Sequence, residues 1–466
     1  MNASAISASV TSRLNEIVGA ANVASDFAQL AAYEIDRKLP AAAVRPATSE
    51  EVAEIVKFAA SEKLALVPTG ARTKLGIGYA PTRYDLALDM TRLNKVIAYD
   101  PGDLTLSVEA GVPLAKLAQV LAEHHQFLPL AVPFEKRTTI GGTIASGVDS
   151  PLRQFYGTAR DFLLGMEFIT GEGVAAKSGG RVVKNVTGYD IHKLMIGALG
   201  TLGVITRVNF KTFPMPLGSR GFVARFSTAE SALDMRQRIA LSPLTPLTIE
   251  ILSPSVAGLF GSDAASRYER APMPPNVLFA SEWALSTGYA GNDGALERNV
   301  KDLQRMAERS GATGFTVLAE NLPAAWTRKC EFIPIALASS PATTIVKMSV
   351  LPTHMKDALA AASHAAEAND LRWAAMARGL GIIYFAILPS EHSDEYRQRV
   401  ANATSAIQEA CAKLAGHATI PWAPAEWKPT LQIWGPQRPD FPQMQKVKSV
   451  FDPQKILSPG RFAPNL

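Results

Sequence analysis

The sequence predicts an α+β protein of two or three domains, and three observations carry that prediction. Its 466 residues exceed the roughly 250–300 at which one hydrophobic core stops growing. Three glycine-rich turns, VPTGARTKLGIG at Val67–Gly78, TIGGTIASG at Thr139–Gly147 and GALGTLGVI at Gly197–Ile205, border strand-like runs. Beyond about Pro214 such turns stop. Long amphipathic patterns such as Gly294–Arg309 and His354–Asn369 then mix with strand-like runs such as Thr344–Leu351, which marks a second domain.

The elements follow in order. Residues from about 10 to 38 carry apolar positions at helical spacing and end at Pro40, a leading helical segment. RPATSEEVAEIVKFAASEKLALVPTG, from Arg45, reads as a β-like start, an N-cap at Thr48 or Ser49 with acidic residues behind it, an amphipathic helix and the strand LALVP. This β-α-β unit delivers the first glycine turn. Strands are expected at Asp85–Met90 and Leu104–Val108, joined through Asp100-Pro101-Gly102-Asp103. The second turn opens after Leu128–Val132, and further strands follow at Phe162–Thr170, Val174–Ala176 and Val204–Phe210, with Gly171–Gly173 as a hairpin turn. The tail ATIPWAPAEWKPTLQIWGPQRPDFP is rich in Pro and Trp, and irregular chain of that kind persists only where something packs it down.

Composition bounds the function. An apolar fraction of 47% and a charged fraction of 19% describe an ordinary globular enzyme or enzyme subunit. The net charge of +5 comes without a Lys/Arg block, so nucleic acid is excluded as an expected partner. Cys330 and Cys411 lack CxxC spacing, so neither a zinc site nor an iron–sulfur cluster is expected from the thiols. No stretch of 18 apolar residues occurs and the N-terminus lacks a signal pattern. No direct membrane span is expected, and the location expected is cytoplasmic, peripheral to a membrane only through partners.

The turns carry the chemistry. Successive backbone N–H groups of a tight turn after a strand point to one side, and glycine lets an anion approach them. Pro68, Thr69, Gly70, Ala71, Arg72, Thr73 and Lys74 suit a pyrophosphate cradle, with Arg72 either on phosphate or in solvent. Thr139, Ile140, Gly141, Gly142, Ala145 and Ser146 form a second turn, with Pro133 before it and Arg153, Tyr156 and Gly157 after it. A third polar turn, KNVTGYD, places Lys184, Asn185, Gly188 and Tyr189 ahead of Gly200, Gly203, Val204 and Ile205.

Together these turns resemble the FAD-binding domain of the vanillyl-alcohol oxidase and p-cresol methylhydroxylase (PCMH) superfamily, and within it the FAD-binding subunits of bacterial glycolate oxidases. The resemblance implies a two-subdomain PCMH-type FAD domain at 41–215, after the helical segment 1–40 and before an α+β cap or substrate domain at 216–410. Residues 411–466 would return to the FAD site. It implies that the turn residues named above bind FAD, and that FAD is non-covalent, because Thr73 stands where covalent relatives carry histidine. It implies oxidation of glycolate or another short 2-hydroxy acid, with hydride passing to flavin N5 and electrons to a sister FAD subunit and an iron–sulfur subunit. A non-catalytic electron-transferring subunit and a self-sufficient flavin alcohol dehydrogenase or oxidase remain alternatives. Tyr189 and His417 are the candidate proton-transfer residues. Arg461 is either a cation beside the flavin N1–C2=O locus or a surface charge. The chain lacks the HxGDGNxH motif of related D-2-hydroxyacid dehydrogenases, and no metal site is expected.

Overall fold

The computed structural model describes residues 7–182, 188–262, 278–318, 329–463 and 466. Its first sheet has four strands in the order Val23–Ala24, Ala42–Val44, Leu86–Asp89, Leu66–Thr69. The last three run parallel. Helix Ser49–Ser61 makes the crossover: Thr48 caps it by accepting from the Glu51 N–H, and Val52, Ile55, Val56 and Ala59 form its buried stripe. The leading segment is more than helical, since Val23–Ala24 pairs antiparallel with Ala43 and Val44 and covers that edge.

An antiparallel sheet of five strands follows, in the order Val96–Asp100, Thr105–Glu109, Val204–Lys211, Leu163–Ile169, Ala175–Gly179. It packs on helix Leu114–Ala122 and on the short helix Ile140–Ser146 through Leu117, Leu121, Ile140, Ile144 and Val208.

The second domain is one antiparallel eight-stranded sheet. Its order is Gly314–Leu318, Ser219–Phe226, Trp283–Ala290, Thr248–Leu252, Arg372–Arg378, Ile382–Leu388, Thr344–Ser349, His417–Trp422. Helices Ala229–Ala240, Asp293–Arg309, Met355–Glu367 and Asp394–Lys413 pack on one face. The other face meets the first domain: Ile345, Met376, Ile382, Tyr384 and Trp422 share a core with Ile77 and Leu199. Because His417–Trp422 is the edge strand of this cap sheet, the chain leaves the cap after Trp422 rather than near residue 410.

The last forty-odd residues are packed down by buried polar contacts. Lys428 Nζ, 2% exposed as a side chain, donates to Asp36 Oδ2 at 2.6 Å and to the carbonyls of Gly76 and Gly78. Lys448 bridges Asp452, Thr201 O and Leu457 O. Leu66 donates its N–H to Ile456 O and accepts from Ser458 N–H, which lays the tail beside the strand leading to the first glycine turn. No helix among the described residues is long and apolar enough to cross a membrane.

Candidate active site

The first two glycine turns close on each other. A Cβ on Gly70 would collide with Thr139 Oγ1, and one on Gly141 would lie 2.8 Å from the Cβ and carbonyl oxygen of Ala110. Both glycines are there for close approach of backbone to neighbouring atoms. Thr139 caps helix Ile140–Ser146 by accepting from Gly142 N–H.

Between the turns runs a cleft of about 760 Å³. The first turn contributes Pro68 through Lys74, the second Thr139, Gly142, Ala145 and Ser146, and the third Leu199, Gly200, Gly203 and Ile205; Arg461 comes from the tail. Among the described residues the lining holds three cations and no acidic side chain, which fits a large anionic ligand. Among them it also holds no histidine, cysteine or tyrosine.

The cations differ. Arg72 Nη1 binds Asp89 Oδ2 at 2.9 Å and the guanidinium lies over the Tyr33 ring, so neither of the expected roles for it holds alone: its charge is already engaged. Arg461 is 3% exposed, not on the surface, and donates through Nη2 to Leu75 O and Ile77 O, while its Nε has no partner. Lys74 is 8% exposed, and its Nζ meets only the hydroxyls of Thr138 at 2.7 Å and Thr73 at 3.4 Å. Burial without a carboxylate pushes its amine down to about 7.

Several expected residues lie elsewhere. Ile140 and Val204 point into the core, because helix and strand geometry turn them away from the faces carrying Gly142 and Ile205. Pro133 is buried outside the cleft lining. Arg153 reaches Asp149 at 3.4 Å, Tyr156 packs edge-on against Phe127 and Phe213, and Gly157 precedes the capped turn Thr158–Asp161. Tyr189 is 91% exposed, with its carbonyl accepting from Ser178 Oγ, and neither it nor Gly188 lines the cleft. Lys184 and Asn185 lie outside the described residues.

A second cavity of about 210 Å³ adjoins the cleft and shares Ser146 with it. Strand register builds its polar wall. Tyr384, Lys347 and Thr419 are directly paired across three strands, and Ser349 pairs with His417. Alternation puts Val346 and Met348 against the helices and leaves Lys347 on the face toward the first domain. A β-bulge between Ile345 and Lys347 pairs Ile345 with Trp422, which turns the Trp422 ring to the same face.

Lys347 has no hydrogen bond or ion pair among the described residues. Burial, aided by the positive charges of Arg153 and Arg378 and opposed by Asp149, holds its amine below the usual lysine range. His417 stands exposed at the cavity mouth. Partial desolvation, Arg438 and Lys347 hold its imidazole below the usual range, so it is neutral at pH 7. Behind them Arg378 is locked between carboxylates: Nη1 donates to Glu250 Oε1 at 2.9 Å, and Nε lies 3.1 Å from Asp149 Oδ2 without hydrogen-bond alignment. No group of three or more His, Cys, Asp or Glu placed to hold a metal ion occurs among the described residues. Sequence reasoning missed Lys347; its one signal was a lysine inside the otherwise apolar strand pattern TIVKMS.

Two family models match the chain, a FAD binding domain over residues 40–179 and a FAD linked oxidase C-terminal domain over 219–419. A glycolate oxidase subunit GlcD of Bacillus subtilis is 24% identical over 465 residues, 98% of this chain and 97% of that one. A glycolate oxidase subunit GlcE of Escherichia coli is 36% identical over 202 residues, 43% of this chain and 56% of that one. A D-lactate dehydrogenase of Anaerostipes hadrus is 25% identical over 91% of this chain and 89% of its own. The solved structure of p-cresol methylhydroxylase with substrate bound superposes with a TM-score of 0.77 at 18% identity, over 97% of this chain and 96% of that one, which shows a shared fold. With paired glycine turns framing a cleft under a sheet cap, and with both family models matched in order along it, this chain is a FAD-linked oxidoreductase.

Proposed function

We propose that the chain holds FAD non-covalently in the glycine-turn cleft and oxidises a 2-hydroxy acid bound in the adjoining cavity. The observation that carries this reading is Lys347, an unpaired cation facing the cavity beside the cleft. Relatives named for glycolate and D-lactate support it. FAD supplies the two-electron acceptor for the hydride leaving substrate C2.

The protein's own residues do the rest. Lys347 pairs with the substrate carboxylate, a charge-assisted contact in a site with little water. His417, neutral, accepts the hydroxyl proton as C2–OH becomes C2=O, and its exposure at the mouth lets it return that proton to water. Burial holds the Tyr384 phenol far above its ordinary range, so it stays protonated and acts as a donor. Arg461 braces the loop carrying Leu75 and Ile77 while keeping positive charge in the cleft. Similarity to proteins named as glycolate oxidase subunits supports work within a multi-subunit complex; this chain's two cysteines are both buried and free.

The test is the pH profile of flavin reduction. The rate should rise with pH through an apparent pKa below 6.5 as His417 becomes neutral, and affinity should fall at alkaline pH as Lys347 loses its charge. His417→Gln should slow reduction by about 10²–10⁴-fold and abolish the acid limb. An unchanged profile in that variant would remove His417 from the mechanism.

Two predictions concern the cofactor. Trichloroacetic acid should leave a colourless pellet and all the flavin in the supernatant, since Thr73 stands in the first turn and no histidine, cysteine or tyrosine lines the cleft among the described residues; a yellow pellet would contradict this. For Lys74, the sign follows from its depressed pKa. Between about 7 and 10.5 the empty folded chain binds fewer protons at this site than the unfolded chain does, so its stability rises with pH across that window. An anionic cofactor favours the charged amine, so binding takes up a proton and affinity weakens above pH 7, by at most roughly tenfold per pH unit. Fluorescence titration of FAD at pH 6.5, 7.5 and 8.5 should show that slope, and Lys74→Met should flatten it.

A further inference from the structure

The cavity beside the flavin cleft is divided by chemistry. One wall is polar, with Lys347, Ser349, Thr419 and the mouth residue His417. Much of the rest of the lining is apolar: Ile77, Val148, Pro421, Trp422 and Trp434. Ile77 and Trp422 are 3% and 7% exposed. They come from both domains, so the apolar lining exists only where the cap sits on the first glycine turn.

Three observations limit what can sit there. First, the cavity encloses about 210 Å³, more than a two-carbon acid fills, so such an acid anchored at Lys347 would leave water against the two indoles. Second, Lys347 is the one lysine or arginine among the described residues that line the cavity; Arg378, Lys329 and Arg153 lie outside the lining and are held by Asp149 and Glu250, by Glu250 at 2.6 Å and by Asp149 in turn. A second substrate carboxylate would therefore be buried with no counter-ion, which is strongly unfavourable. Third, the bulge turns Trp422 onto the face that carries Lys347, so a large apolar ring lines the same cavity as the lysine.

We infer that the substrate is a 2-hydroxy monocarboxylic acid whose C2 carries a bulky apolar group, a branched alkyl chain or an aryl ring, in preference to glycolate or a 2-hydroxy dicarboxylic acid. This rests on the 2-hydroxy acid reading above and narrows it. Lys347 fixes the carboxylate end and the two tryptophans accept the C2 substituent. Selectivity then follows from apolar burial, roughly fourfold for each methylene removed from water.

The experiment is anaerobic stopped-flow reduction of the FAD-loaded full chain by racemic glycolate-series acids: glycolate, lactate, 2-hydroxyisocaproate, mandelate and 2-hydroxyglutarate. The second-order rate constant for reduction should climb from glycolate to 2-hydroxyisocaproate by on the order of a hundredfold, with 2-hydroxyglutarate below lactate. Glycolate or 2-hydroxyglutarate as the best substrate would overturn the selectivity while leaving the 2-hydroxy acid reading intact. Reduction by none of the five would overturn that reading and the selectivity with it. Trp422→Ala should cost 2-hydroxyisocaproate at least tenfold more than lactate; equal losses, in a variant that keeps its FAD, would also overturn it.

Discussion

Replacing Lys347 by methionine should raise KM for a 2-hydroxy acid by about 10–150-fold while leaving the oxidised flavin spectrum and the amount of bound FAD unchanged. The magnitude is that of a hydrogen bond to a charged partner, about 1.5–3 kcal/mol. Methionine keeps the length and volume of the side chain, and removing a buried unpaired amine costs the empty fold nothing. Steady-state kinetics with an artificial acceptor reads the effect as a KM change with kcat less affected, because the carboxylate is bound equally in ground and transition states. Lys347→Arg should recover part of the loss. Unaltered KM in Lys347→Met would place the carboxylate elsewhere and remove the observation on which the functional reading stands.

Arg378→Met should be the most destabilising single change near the site, at about 3–5 kcal/mol. Asp149 and Glu250 have side chains 3% and 1% exposed, and loss of the guanidinium leaves Asp149 with only the longer contact to Arg153 at 3.4 Å. Glu250 keeps Lys329, so the damage concentrates on Asp149, which follows helix Ile140–Ser146 and ties the FAD domain to the cap. Thermal unfolding followed by flavin release should shift down by several degrees, with the cap loosening first. A melting curve matching that of the unmodified protein would mean that this ion cluster does not couple the domains. Replacing Arg378 together with both carboxylates by apolar residues should recover much of the loss, since removing a whole buried cluster is milder than orphaning part of it.

The cleft was legible in the sequence and the cavity was not, for a physical reason. Gly70, Gly141 and Gly200 sit where backbone must approach other atoms, and such positions admit almost nothing but glycine. They therefore mark turns that bracket a ligand. Which neighbours face that ligand is set by periodicity: Ile205 lines the cleft while Val204, one residue earlier on the same strand, is core. Ile140, Pro133 and Tyr156 likewise stand near the turns along the chain without lining the cleft. Tyr189 belongs to a turn of high motif density, yet its ring is exposed.

The cavity depends on register, which no local pattern encodes. Lys347 meets Tyr384 and Thr419 only because strands some 37 and 72 positions away pair at those residues. Trp422 faces inward only because of a bulge. The tail motif that makes His417 a candidate belongs to the cap's edge strand and not to the segment that returns to the first domain. The fold itself was readable because glycine turns, capped helices and strand runs agree from one level to the next.

The central claim is that FAD in the cleft is reduced by a 2-hydroxy acid anchored at Lys347. An anaerobic visible spectrum of the purified full chain, recorded before and after adding a racemic 2-hydroxy acid and, separately, the matching acid without the hydroxyl, tests it most directly. The account predicts an oxidised flavin spectrum that bleaches with the hydroxy acid and is perturbed without bleaching by its deoxy analogue. A protein purified without flavin, or a flavin that stays oxidised and unperturbed with both acids, would contradict it.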